Sequence, residues 1–331
     1  MPIVMPIVMP IIEHTTYTPP WVLKNRHLHT LYASLWRNVP EITYTRERID
    51  TPDGDFLDLD WSKIGADKTI IVIHGMEGSS RSRYIPGIIN AFNRRGWDGV
   101  AMNLRGCSGE LNRLLRSYHS GATEDVDTVV RHVLQQNRYQ QLALIGFSLG
   151  GNQTLKYLGE QGPCLPKEII KAAAISTPCD LESSAWKLSE RSNRLYLKNF
   201  LRNFQRKIRL KMQQMPGQIS DQNYHEIKSF KDYDDRYTAP LHGFANAEDY
   251  WTRSSSKPFL PNICIPTLLL NALDDPFLRE ESYPYEEARN SDYLFLETPT
   301  FGGHNGFVTF TPEHEYWHET RITSFIITPQ T

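Results

Sequence analysis

The chain has 331 residues, of which 40% are hydrophobic and 22% charged, with a formal net charge of -2. That length and composition suit one large α/β domain with an insertion, or two ordinary domains, and exclude a disordered chain. The near-neutral balance argues against a general nucleic-acid binder.

In chain order, the first element is "MPIVMPIVMPII", an apolar tail that repeats MPIV. It is too short to span a bilayer. It has no basic leader and is interrupted by prolines, so a signal peptide is not expected. It reads as a disordered or strand-like tail at the head of an N-terminal extension, residues 1–45, that packs on the core. No longer repeat follows.

Next come short apolar runs separated by helical patterns. The runs are "TIIVIHG" (69–75), "WDGVAMNLRG" (97–106), "LALIGFS" (142–148), "AAAISTP" with its flank from Lys171, "TLLLNALDD" (267–275) and "YLFLETP" (293–299). Continuous rather than alternating apolar strands imply burial on both faces, hence a parallel sheet. Between them, "SRYIPGIINAFNRRG" and "GATEDVDTVVRHVLQQN" carry apolar residues at helical spacing. The expected fold class is α/β, a mostly parallel doubly wound sheet whose core takes residues 46–180 and 263–331.

Residues 181–262 break this rhythm. They hold no buried strand but a long helical pattern, "SAWKLSERSNRLYLKNFLRNFQRKIRLKMQQM", in which Leu197, Leu201, Phe204 and Ile208 share a face. This reads as a helical cap over the carboxyl edge of the sheet, where ligands of α/β folds bind. From Lys187 to Lys211 the pattern carries Lys187, Arg191, Arg194, Lys198, Arg202, Arg206, Lys207, Arg209 and Lys211 against one acid, Glu190. Such a face either lies on an anionic membrane surface or is simply solvated; the solvated reading is preferred. "RYTAPLHGFANAEDYW" is expected to pack the cap on the core.

The chemistry concentrates at Gly146-Phe147-Ser148-Leu149-Gly150, a G-x-S-x-G that follows a buried strand and opens a helix. There a strand turns so sharply into a helix that residues two before and two after the turn have no room for side chains. Ser148 is thereby presented at the sheet edge beside a helix N-terminus. A serine needs a base, and the base needs a carboxylate. "FGGHNGF" supplies His304 after the last strand, and "NALDDPF" supplies Asp275, preferred over Asp274 because it directly precedes a proline. Oxyanion donors are expected from the N–H groups of Met76, in "HGMEGSS", and Leu149.

Cys107, Cys164, Cys179 and Cys264 form no CxxC pair, which points to a reducing, cytoplasmic setting. Cys107 reads as a small buried residue, with a thiol near the pocket as the alternative. His27 and His29 lack a carboxylate or thiol to complete a metal site, so neither metal nor cofactor is expected.

With these residues in view, the chain resembles the α/β-hydrolase superfamily, and within it the YheT-like branch of bacterial esterases and their eukaryotic relatives. The blocks that carry the resemblance include "NRHLHTLYASLWR", "DTPDGDFLDLDW", "HGMEGSSRSRY", "NLRGCSGELNR", "YHSGATEDV", "GFSLGGN", "FKDYDDRYTAPLHGF", "NALDDPF" and "GGHNGF". The resemblance implies a Ser148–Asp275–His304 triad and a serine esterase or lipase-like activity on small-molecule or lipid esters. Some members carry an H-x4-D acyltransferase motif. Here His119 is followed at that spacing by Glu124, with Asp125 one further, so acyl transfer is the secondary expectation. A non-catalytic binding protein on the same fold is a third, disfavoured because all three triad residues are present. The membrane anchor of the eukaryotic relatives is not expected to carry over.

Overall fold

The computed structural model describes residues 10–328. Most of the MPIV tail lies outside that range; its end forms strand β1 (Ile11–Ile12). The other strands are β2 (Thr45–Asp50), β3 (Phe56–Ser62), β4 (Lys68–Ile73), β5 (Asp98–Asn103), β6 (Gln141–Phe147), β7 (Ile169–Ile175), β8 (Thr267–Leu270) and β9 (Leu294–Glu297). They form one sheet in the order β1-β9-β8-β7-β6-β4-β5-β3-β2. From β1 to β5 every neighbouring pair is parallel; β3 pairs antiparallel with both β5 and β2.

The parallel strands follow the apolar runs, with ends shifted by a few residues. β7 begins earlier than its alanines suggest, and β8 and β9 are shorter than their runs. Although these runs are continuous, their side chains still alternate between two cores. Ile71, Ile73, Leu142 and Leu144 face helix α3 (Thr123–Gln135) and helix α4 (Leu149–Gln161). Ile70, Val72, Ala143 and Ile145 face helix α2 (Tyr84–Asn93) and the C-terminal helix. Strands β2 and β3 do not announce themselves as apolar runs. β3 is buried along its length, yet carries Asp58 and Asp60, whose charges are met by Arg48 and Arg46 of β2 at 2.7 Å. A buried acid is tolerated when paired and hydrogen-bonded, and that hides the strand from a hydrophobicity reading.

Helix α1 (Arg26–Leu35) lies between β1 and β2, capped by the Asn25 side chain. Between β7 and β8 the chain forms α5 (Leu181–Leu188), α6 (Arg194–Gln214), the short α7 (Phe230–Tyr233) and α8 (Ala239–His242), and α9 (Ala247–Ser254). Helices α10 (Tyr285–Arg289) and α11 (Trp317–Ile327) complete the described residues.

The long helical pattern expected from residue 184 onward is not continuous. It breaks between α5 and α6, where the buried Asn193 donates to the carbonyls of Lys187 (2.9 Å) and Pro276 (2.7 Å) and turns the chain. Leu197, Leu201, Phe204 and Ile208 are indeed the buried face of α6. Two lysines assigned to its basic face point inward instead. Lys207 pairs with Glu77 at 2.7 Å, and Lys211 donates to the carbonyl oxygens of Asn112 and Leu114. Burial pushes the Lys211 ammonium down to about 8.

Candidate active site

Because β4, β6, β8 and β9 run parallel, the loops that leave their carboxyl ends open on one edge of the sheet. Ile73 of β4 is level with Gly146 of β6, so the loop after one strand meets the turn after the other. Ser148 sits in that turn at φ 54°, in the left-handed region, followed directly by α4. Such a backbone costs on the order of 1–3 kcal/mol for a non-glycine residue, and persists only where the surroundings fix it. They do. A Cβ on Gly146 would lie 2.2 Å from the Gly150 carbonyl oxygen, and one on Gly150 would lie 2.4 Å from that of Ile73. The Ser148 N–H donates to Ile175 at 2.8 Å.

The structure brings the expected residues together. His304 Nε2 lies 3.0 Å from Ser148 Oγ. On its other side, His304 Nδ1 lies 2.9 and 3.1 Å from the Asp275 carboxylate oxygens. An ionised carboxylate only accepts, so Nδ1 carries the proton and Nε2 is free to face the hydroxyl. Asp275 is buried, and Oδ1 also accepts from the Phe277 N–H at 2.8 Å. Phe277 covers the imidazole, with ring centroids 4.3 Å apart.

Asp274 has a different task. Its Oδ1 accepts from the Gly303 N–H at 2.8 Å, which ties the Asp275 loop to the His304 loop. Burial, with the neighbouring Asp275 charge, pushes its carboxyl up to about 6.

Met76 lies in the loop after β4, where the flanking amides are already engaged. Gly75 N–H donates to Tyr84 Oη at 3.0 Å and Glu77 N–H to Tyr118 Oη at 2.9 Å. The Met76 N–H between them donates to no protein acceptor among the described residues. Leu149 is the first residue of α4, so its N–H is one of the helix's orphan donors. His74 braces this loop: Nδ1 donates to Gly75 O at 2.7 Å and Nε2 accepts from Leu104 N–H at 3.1 Å. Burial holds its imidazole down to about 4, so it is neutral.

The residues that hold the His304 loop were not legible. His304 N–H donates to Thr30 Oγ1 (2.9 Å) and Asn305 N–H to Ser176 Oγ (2.9 Å), while Val308 N–H donates to His29 Nε2 (3.0 Å). Thr30 and His29 belong to α1, more than 270 positions earlier, and no local signal could have linked them. His29 and His27 therefore serve different partners: His27 stacks on Tyr196, with centroids 5.8 Å apart. Cys107 Sγ receives a hydrogen bond from Lys207 Nζ at 3.2 Å, and burial pushes its thiol up to about 11.

A cavity of about 400 Å³ opens over Ser148 and His304. Its walls come from the loops after β4, β6, β8 and β9, from α1, and from the segment between β7 and β8, including Phe200, Phe204, Tyr233 and Trp251. From the same segment, Tyr250 Oη donates to Ser120 Oγ at 2.8 Å and His242 Nε2 lies 3.0 Å from the Ser117 carbonyl. Among the described residues, no helix is long and apolar enough to cross a membrane.

Residues 68–311 match the family model described as the alpha/beta hydrolase fold. The chain is 36% identical over 320 residues to a protein of Escherichia coli strain K12 named as the esterase YheT, covering 94% of this chain and 93% of that one. It is 30% identical over 309 residues to a Bos taurus protein named phospholipase ABHD3, covering 90% of this chain and 74% of the relative. In shape it is similar to the Pyrococcus furiosus esterase Pf2001, with a TM-score of 0.57 at 18% identity, covering 88% of this chain and 97% of that structure.

Proposed function

The chain belongs to the alpha/beta hydrolase fold family, and from that premise we propose that it cleaves carboxylic esters as a serine hydrolase, through an acyl-enzyme intermediate. The observation that carries this reading is the unbroken line Ser148 Oγ, His304 imidazole, Asp275 carboxylate, at 3.0 and 2.9 Å. A serine hydroxyl at this distance from an imidazole nitrogen has its base in place.

Ser148 Oγ attacks the acyl carbon while His304 Nε2 takes its proton. The carbonyl oxygen becomes an oxyanion, held by the N–H groups of Met76 and Leu149. His304 then gives the proton to the leaving alcohol as the C–O bond breaks, which leaves the acyl group on Ser148. Water, deprotonated by His304, attacks that ester; the acid departs and the proton returns to Ser148. Asp275 holds the imidazole in the required tautomer and stabilises its cation.

Residues 181–262 act as a cap in this reading, and the aromatic wall of the cavity supports an apolar acyl chain as the group held beside Ser148. The names of the relatives, an esterase and a phospholipase, support carboxylic esters, lipid esters among them, as the substrate class. The four cysteines are all unpaired, which supports a reducing, cytoplasmic setting.

The test is hydrolysis of p-nitrophenyl esters of graded acyl length by wild type and Ser148→Ala. Wild type is expected to turn over at least part of the series, with a preference set by acyl length, and the variant to lose that turnover. Equal rates in both proteins, or no turnover of any ester by a folded wild type, would overturn the reading.

A further inference from the structure

Helix α1 is built inside out. Its buried residues are His29, Thr30 and Ala33, whereas Leu28, Leu31 and Leu35, spaced i, i+3 and i+7, face outward and are exposed. The inward face is committed to the His304 loop through His29 and Thr30. That explains its polar residues, while the outward leucines stay exposed among the described residues.

The leucine stripe is extended at both ends. Trp21, in the turn before α1, is 83% exposed, and Trp36, directly after it, is 60% exposed. Phe310, also exposed, packs edge-on against Tyr32 of α1 at 6.1 Å. The His27–Tyr196 stack brings the start of α6 alongside, where Leu195 is 82% exposed. An apolar surface of this extent on a folded chain marks an interaction site.

Two further observations identify the partner. The segments that carry the patch also carry cations: Lys24 and Arg26 beside α1, Arg191 in the turn before α6, and Arg194, Lys198 and Arg202 on α6. All six are exposed, and none has an ion-pair partner among the described residues; the only acid in that stretch of α6 and its approach, Glu190, is taken by Lys187 and Arg279. Leu31 and Leu35 also line the cavity that holds Ser148 and His304, so the cavity reaches the surface within the patch.

We propose that this face seats the protein on an anionic phospholipid surface, with Trp21, Leu28, Leu31, Leu35 and Trp36 in the interfacial layer and the basic side chains against lipid phosphates. An ester then enters the cavity at Leu31 and Leu35 directly from the lipid; this entry step rests on the ester-hydrolase reading, whereas the docking does not. Tryptophan favours the boundary between apolar chains and headgroups, and basic residues add attraction to anionic lipid. A second copy of the chain fits this face poorly, because a two-fold contact would set the basic side chains against each other.

Flotation of the full chain with vesicles tests the docking. The vesicles are phosphatidylcholine alone, or phosphatidylcholine with about one third phosphatidylglycerol. Wild type and Ser148→Ala are expected to float with the anionic vesicles, less in high salt and less with the neutral ones. The triple variant Trp21→Ala, Leu28→Ser, Trp36→Ala is expected to bind at least about tenfold more weakly. None of its positions lines the cavity, so its rate on a water-soluble short ester stays that of wild type. The charge variant Arg194→Glu, Lys198→Glu is expected to lose the anionic preference.

Failure of wild type to float, or equal flotation by the triple variant, would overturn the proposal. So would a dimer in solution that the triple variant makes monomeric, since the face would then belong to a second copy. A wild type that floats but cleaves no ester would leave the docking standing and remove the hydrolase reading.

Discussion

At the carboxyl edge of the sheet, a single added methyl is intolerable: on Gly146 it would lie 2.2 Å from the Gly150 carbonyl oxygen. In the segment 181–262, by contrast, Phe204 stacks on Tyr233 at 4.4 Å and lies against Phe230 at 6.1 Å, contacts that other large apolar residues can repack. The first region is held by backbone geometry that only particular residues allow. The second is held by volume and burial, which many sequences satisfy. The difference predicts that damage to the two regions separates cleanly into chemistry and stability.

The largest effect belongs to Asp275. Asp275→Asn is expected to lower ester turnover by about 10⁴-fold, because the amide favours the wrong tautomer of His304. Asp274→Asn should stay within about tenfold of wild type, since its contact is with the Gly303 backbone. Steady-state rates of the two variants on one ester, each checked for an intact fold by circular dichroism, decide this; similar losses in both would dissolve the distinction between the adjacent acids.

Leu201→Ala is the converse. Leu201 is in the buried face of α6 but does not line the cavity. Its truncation is expected to cost about 2–5 kcal/mol in denaturant unfolding, with turnover of a short ester close to wild type. A loss of turnover as large as that of Asp275→Asn would mean that the two regions are not separable.

Thr30→Val lies between the two regimes. It removes the acceptor of the His304 N–H at the end of a contact that spans most of the chain. Turnover is expected to fall by about tenfold to a hundredfold, through displacement of His304 rather than loss of a reacting group. Thr30→Ser should restore it, because the hydroxyl is the part that matters. An unaltered rate in Thr30→Val would remove α1 from the positioning of the histidine.

The smallest effect is in pH dependence. Burial pushes the Asp234 carboxyl up to about 7, and Asp274 up to about 6. A folded-state value above the unfolded one means that the native state binds the proton more tightly. Stability is then fully present below the ordinary carboxylate range, near about pH 4, and declines as pH rises through about 6 to 7. Asp234→Asn can keep the contacts with Thr238 and Trp251 without ionising. Its melting temperature is expected to exceed that of wild type by a few degrees at pH 8, with the advantage vanishing near pH 4. Parallel melting curves at both pH values would contradict this.

What was legible in the sequence follows the same division. Ser148, its glycines and the parallel strands could be read because strained turns and doubly buried strands restrict residue choice locally. His304 and Asp275 could be placed because each follows its own strand at the same edge. Strands β2 and β3 could not, since Asp58 and Asp60 are neutralised by arginines on the neighbouring strand. Nor could the inward turn of Lys207 and Lys211, whose partners lie some hundred residues away. Thr30, Ser176 and His29 were equally hidden: each acts on a backbone N–H far along the chain, which leaves no mark on its own neighbourhood.

The central claim is that Ser148 is an activated nucleophile. Labelling with a fluorophosphonate probe, read by intact mass on wild type and Ser148→Ala, tests it directly. A single adduct on wild type that is absent from the variant is the predicted result. No adduct on folded wild type, or an adduct that persists in Ser148→Ala, would contradict it.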